Sequence, residues 1–155
     1  MNARFLPILL VAFTLCNPAV HADQAKPKDG EEQQLQRLNG VWVLEAVEQV
    51  GMKLKGDQLP VRLRGMTRTI DDKRMTVKSS GREYQCTFTL DASAKPKRID
   101  IALKTGGRGP RTLKGIYQIK DDILQIAEDA DKRPNSFKTE RGSRSIVYTF
   151  RRRAD

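Results

Sequence analysis

Gly40-Val41-Trp42-Val43-Leu44-Glu45-Ala46-Val47-Glu48 decides the fold, and it carries the only Trp in the chain. Its opening Gly suits a chain reversal or a close backbone approach. The residues that follow are β-rich, and Trp42, Leu44 and Ala46 share one face of an extended strand. Trp is too large to bury unless several elements converge on it. The stretch is therefore expected to be the first strand of a β-barrel with Trp42 as its internal plug.

Strands then follow at short, regular spacing. The expected spans are 65–70, 74–79, 82–90, 98–104, 111–119, 123–128 and 145–152. The clearest is the fourth strand, where Tyr84, Cys86, Phe88 and Leu90 alternate with Glu83, Gln85, Thr87 and Thr89. Ser80-Gly81 is a hairpin signal, and Asp71-Asp72-Lys73 and Lys120-Asp121-Asp122 supply turn chemistry. Gly115 interrupts a strand, which marks a bend or a close backbone approach. Residues 53–61 read as an irregular lid, residues 105–110 as a mobile Gly-rich connection, and residues 129–142 as a long loop. No long amphipathic helix is available for a crossover between parallel strands. Eight antiparallel strands in sequence order predict an all-β, up-and-down barrel, which leaves no exposed sheet edge. A β-sandwich is the alternative. Eight strands enclose just enough room for side chains or one small ligand.

The barrel does not use the whole chain of 155 residues. Residues 1–22 have a signal-peptide pattern: Arg4, the apolar run Phe5–Cys16, then Val20-His21-Ala22 at the cleavage site. The apolar run is too short to span a bilayer. The expected location is exported, periplasmic or extracellular, with no transmembrane anchor after cleavage. Residues 23–34 read as a flexible leader, with a short helical turn over Glu31–Leu38 closing one barrel end through Leu35 and Leu38. Residues 35–153 are the barrel domain.

Cleavage removes Arg4, Cys16 and His21, leaving 133 residues. The 29 Lys plus Arg then fall to 28 against 19 Asp plus Glu, a net charge of +9. No His remains, so Ser-His-Asp and Cys-His catalysis and His-based zinc sites are excluded. Cys86 alone builds neither a disulfide nor a thiolate zinc site. The chain is expected to be no enzyme and to carry no metal or cofactor.

Beyond the bare pattern, the Gly40-Val41-Trp42 start resembles the Gly-x-Trp signature of lipocalin-like barrels. Leu38–Trp42, Leu90–Asp100, Gly115–Leu124 and Lys132–Phe137 are similar, in order and spacing, to a lipocalin-like domain family of unknown function found mainly in planctomycete bacteria. Family members often carry a Cys near the end of the seventh strand, where Ala127 stands, and Arg68 occupies a position where an apolar residue is expected. The resemblance implies the barrel and an exported location, and it supplies no catalytic residue. In lipocalin-like barrels a basic residue of the last strand often packs over the Trp. Arg152, in step with Tyr148 and Phe150, is that candidate, and Gly40, Trp42 and Arg152 form the expected plug.

Alternation points Arg68 inward, where it needs a carboxylate, a route to solvent or an anionic ligand; a bulge would turn it out instead. Tyr84, Tyr117 and Tyr148 share its interior and with it are the candidate ligand residues, for a small hydrophobic or anionic molecule; the alternative is core packing with hydroxyls at a rim. Glu128-Asp129-Ala130-Asp131 lacks calcium-loop spacing and reads as a solvated turn. The basic runs Lys95–Arg98 and Arg151–Arg153 open a second reading, a basic surface that meets an anionic envelope polymer or another exported protein. Nucleic acid is disfavoured, because no aromatic residues interleave with these runs.

Overall fold

The computed structural model describes residues 29–105 and 109–154. The expected signal peptide, residues 1–22, lies outside these, as do residues 23–28 of the expected leader and residues 106–108 of the Gly-rich connection. The described chain forms one short helix and nine strands. These are α1 (Asp29–Leu38), β1 (Gly40–Gln49), β2 (Met52–Lys55), β3 (Thr67–Asp71), β4 (Arg74–Ser79), β5 (Arg82–Asp91), β6 (Arg98–Thr105), β7 (Gly109–Lys120), β8 (Ile123–Asp129) and β9 (Ile146–Arg152).

β1 and β3 to β9 make a closed eight-stranded antiparallel barrel of the lipocalin-like kind, each strand paired with its neighbour in sequence order. Closure is between β1 and β9, from Trp42↔Arg152 to Gln49↔Ile146. The interior is filled by Trp42, Ile70, Met75, Phe88, Ile99, Ile101, Tyr117, Leu124, Ile126 and Phe150, and Leu35 and Leu38 of α1 close one end. The barrel is thus solid toward the helix and open only at the opposite end.

Four elements differ from the sequence reading. The helix starts at Asp29, so residues 29–34 of the expected leader are helical, with Gln34 buried. The expected lid contains β2, which forms a hairpin with β1 through Val50-Gly51. Both turn residues have positive φ, as a type I′ hairpin turn requires. After β2 come two 3₁₀ turns, Gly56–Gln58 and Val61–Leu63, which fold Leu59 and Leu63 against the core. β1 therefore pairs with β3 along its first half and with β2 along its second.

The third difference is a bulge. The β1–β9 register shifts between Leu44 and Ala46, so Val47 takes the inward position expected of Ala46. Fourth, β7 begins at Gly109, inside the expected mobile connection.

The loop after β8 packs on the barrel's outer wall. Phe137 rests on the buried patch Ile116, Ala127 and Val147. Arg133 donates to Gly115 O at 2.7 Å and pairs with Asp100 at 2.6 Å. Thr139 N donates to Glu48 Oε1 at 2.7 Å.

Gly115 of β7 lies between β6 and β8, opposite Ile99 and Glu128. A Cβ there would stand 2.9 Å from Ala127 O and 3.2 Å from Ile99 O, both backbone atoms. Gly115→Ala should therefore force the three strands apart and cost about 1–3 kcal/mol. Urea unfolding of the variant measures this, and an unchanged midpoint would contradict the close approach.

Candidate functional site

The barrel interior divides into a sealed end, a charged middle layer and an open mouth. At the sealed end Trp42 is fully buried, and its Nε1 donates to Leu38 O at 2.7 Å. The Arg152 guanidinium lies over the indole, 4.1 Å from the ring centroid. Its Nη1 and Nη2 donate to Asn39 O and Arg37 O, each at 2.6 Å. The cation thus satisfies carbonyls at the C-terminal end of α1, where positive charge is favoured. Gly40 has φ 124°, and a Cβ on it would come within 2.8 Å of Arg152 Nη1. Gly40, Trp42 and Arg152 are one contact set that closes the barrel and leaves no room for a ligand.

The middle layer holds Arg68 of β3, 3% exposed, and Glu128 of β8, 8% exposed. Strand parity places both inside: Arg68 is opposite Trp42, and Glu128 is opposite Ile146. Arg68 Nη1 donates to Glu128 Oε2 and Nη2 to Oε1, both at 3.2 Å, a two-pronged pair. The guanidinium also lies 4.8 Å from the Tyr148 ring centroid and 5.0 Å from that of Phe150. Burial works against its charge, but Glu128 and Tyr148 hold its pKa above the ordinary value. Of the fates open to Arg68, the carboxylate is the one realised. An anion reaching Arg68 would first have to displace Glu128.

Glu128 is correspondingly not part of a solvated turn. The turn begins one residue later, with Asp129 Oδ1 accepting from Asp131 N at 2.8 Å and Lys132 N at 3.3 Å. These bonds and the one from Ser145 outweigh partial burial and hold the Asp129 carboxyl below its usual range. Sequence reasoning missed Glu128 as an interior residue. The signal was present, since it continues the alternation of Leu124 and Ile126.

The three candidate tyrosines separate. Tyr148 and Tyr84 belong to the charged layer and the mouth. Burial and the Glu128 charge push the Tyr148 phenol up to about 12, against the pull of Arg68. Burial likewise raises Tyr84. Tyr117 is also pushed up to about 12 by burial, but its charged neighbours are Glu31, Arg37 and Asp91 at the sealed end. Tyr117, Ile126 and Tyr148 share one cross-strand row. The tilt of barrel strands nonetheless leaves the two phenols at opposite ends. Both stay neutral near pH 7 and do not serve as bases there, and the buried Tyr117 hydroxyl has no hydrogen-bond partner among the described residues.

At the mouth lies a cavity of about 200 Å³ between β2, the second 3₁₀ turn and β9. Val47, Leu54, Pro60, Leu63, Ile146 and the Tyr148 ring wall it, and Gln49 and Arg62 bring polar groups to its edge. Hollows of about 430 Å³, 470 Å³ and 520 Å³ elsewhere are larger but are lined mainly by polar side chains. The first is lined by Thr69, Arg74, Thr76, Gln85 and Lys104, the second by the turn after Asp129, and the third by Glu45, Lys55, Asp57 and Arg64 beside Leu44 and Leu59. An apolar wall with a few polar groups at its edge is the usual form of a small-molecule site, and the mouth cavity has it. Arg62 and the whole of β2 escaped the sequence reading, because four residues of Met-Lys-Leu-Lys are too short to show a period.

The two basic runs are partly committed within the fold. Arg98 is 3.8 Å from Asp91, Arg151 is paired with Glu45 at 2.5 Å, and Arg152 belongs to the plug. Compared with protein-family models, curated proteins and solved structures, the chain matches none of them.

Proposed function

We propose that this is an exported, non-catalytic barrel that holds one small molecule, largely apolar with an anionic end, in the mouth cavity beneath β2. The observation that carries the reading is the cavity itself, about 200 Å³ with apolar walls and Arg62 at its rim. A cavity of roughly 150 Å³ suffices for benzene, so the occupant is of single-ring size. The lumen below offers it no room, because the Arg68–Glu128 pair and the Trp42 layer fill it. Export is supported by Arg4, the apolar run Phe5–Cys16 and Val20-His21-Ala22. The lack of any His after residue 21 supports a binding role over a catalytic one. The family resemblance carried by Gly40-Val41-Trp42 and Leu90–Asp100 supports the exported barrel and implies no activity.

Benzoate is the simplest probe. Calorimetric titration should show one site. Leu63→Trp, which fills the cavity, should abolish it. Arg62→Ala should weaken it about twofold to fivefold, the effect of losing one partly hydrated charge. Benzoate binding that survives Leu63→Trp unchanged would overturn the reading.

A further inference from the structure

The mouth is also where the barrel's exposed apolar side chains collect. Among the described residues the large hydrophobic side chains that face solvent are Val50, Met52, Val61 and Tyr84, at 40%, 65%, 76% and 47% exposure. They come from four different segments: the β1–β2 turn, β2, the second 3₁₀ turn and the start of β5. All four segments belong to the open end. Val50, Met52 and Arg62 line the same cavity, the 3₁₀ turn is tied to β4 by a Ser79 Oγ–Arg62 O hydrogen bond, and Tyr84 pairs with Val77 at that same end of β4. The opposite end shows nothing comparable, since α1, Trp42 and Arg152 cover it.

Exposed cations surround this apolar tip. Lys53 and Lys55 flank Leu54 on β2, Arg62 follows Val61, and Arg82 precedes Tyr84 by two positions. None of these four has an ion-pair partner among the described residues, whereas Lys78 nearby is paired with Glu83 at 3.0 Å. Apolar side chains interspersed with unpaired cations complement a surface with negative headgroups over hydrocarbon. Interfacial binding of this kind combines shallow burial of apolar groups with attraction to anionic lipid. The whole chain's net charge of +10 favours approach to such a surface.

The geometry points to the open end of the barrel as a docking surface for an anionic lipid membrane, with Met52 and Val61 entering the interface and Lys53, Lys55, Arg62 and Arg82 meeting headgroups. A bilayer is favoured over a second copy of the chain because a second copy would bring the same cations face to face. The inference does not require an occupied cavity.

The chain from Asp23 contains every described element and avoids the apolar N-terminal run. It should sediment with vesicles of phosphatidylcholine mixed with phosphatidylglycerol, not with phosphatidylcholine alone, and less at high salt. Met52→Glu/Val61→Glu, both exposed and so neutral to folding, should lower vesicle affinity at least tenfold. Lys53→Glu/Lys55→Glu should lower it roughly 20-fold or more. Lys95→Glu/Lys120→Glu carries the same charge change at the far end and should leave affinity within about twofold, being a Debye length or more from the contact. Three results overturn the inference. One is no sedimentation with anionic vesicles, a concentration-dependent dimer included. The second is equal loss in both charge variants. The third is full binding by Met52→Glu/Val61→Glu. Benzoate titration without vesicles reports on the cavity separately, so the two readings fail independently.

Discussion

Glu128→Ala should unfold at markedly lower urea concentration than the natural chain, a loss of about 3–5 kcal/mol. The cost comes from what stays behind. Arg68 remains 3% exposed inside the barrel with no carboxylate opposite it. Its Nε already lacks a partner, so the guanidinium has little else to bind. Arg68→Leu should cost a similar amount by stranding Glu128. The double variant Arg68→Leu/Glu128→Leu should recover most of the loss, because apolar side chains of similar volume replace a buried pair at little net cost. Urea unfolding followed by near-ultraviolet circular dichroism measures all three. A double variant as unstable as the sum of the singles would mean that the pair is not a unit.

Trp42→Ala should be comparably severe, at about 3–5 kcal/mol. The indole fills the sealed end, bonds to Leu38 O, and gives the Arg152 guanidinium its platform. Truncation would leave a large hole among Leu38, Ile70 and Phe150, and would loosen the contact of Arg152 with Arg37 O and Asn39 O. A double-mutant cycle with Arg152→Ala should return a coupling of about 0.5–2 kcal/mol for the cation over the ring. A coupling near zero would mean that Arg152 acts only through the carbonyls of the helix end. Since Trp42 is the only Trp, its fluorescence in the natural chain should resist acrylamide quenching until the barrel opens.

The barrel was legible from residue alternation because every strand that carries it has one buried face. The 82–90 segment shows both the strength and the limit of that signal. Cys86 and Phe88 are interior as the alternation predicts, but Tyr84 is exposed because β5 runs on past the filled layers to the mouth. The bulge at Glu45 had no Gly or Pro to announce it, so the change of face between Ala46 and Val47 is a product of closure with β9.

The need of Arg68 for a partner was readable as a matter of charge burial. The identity of that partner was not, because β3 and β8 come together only when β1 and β9 close the barrel. Glu128 stood sixty positions away, beside Asp129, Ala130 and Asp131, whose local chemistry resembles a turn. The mouth cavity was illegible for a related reason. Its walls come from β1, β2, a 3₁₀ turn and β9, and no local pattern joins them.

The most direct test of the binding reading is native mass spectrometry of the protein purified from the cells that make it, set against its denatured mass. A reproducible adduct of single-ring size should be present in the natural chain and lost on unfolding. It should be absent from Leu63→Trp and kept in Arg68→Leu/Glu128→Leu, whose change lies below the cavity. Equal native and denatured masses in every preparation, or an adduct that persists in Leu63→Trp, would contradict the account.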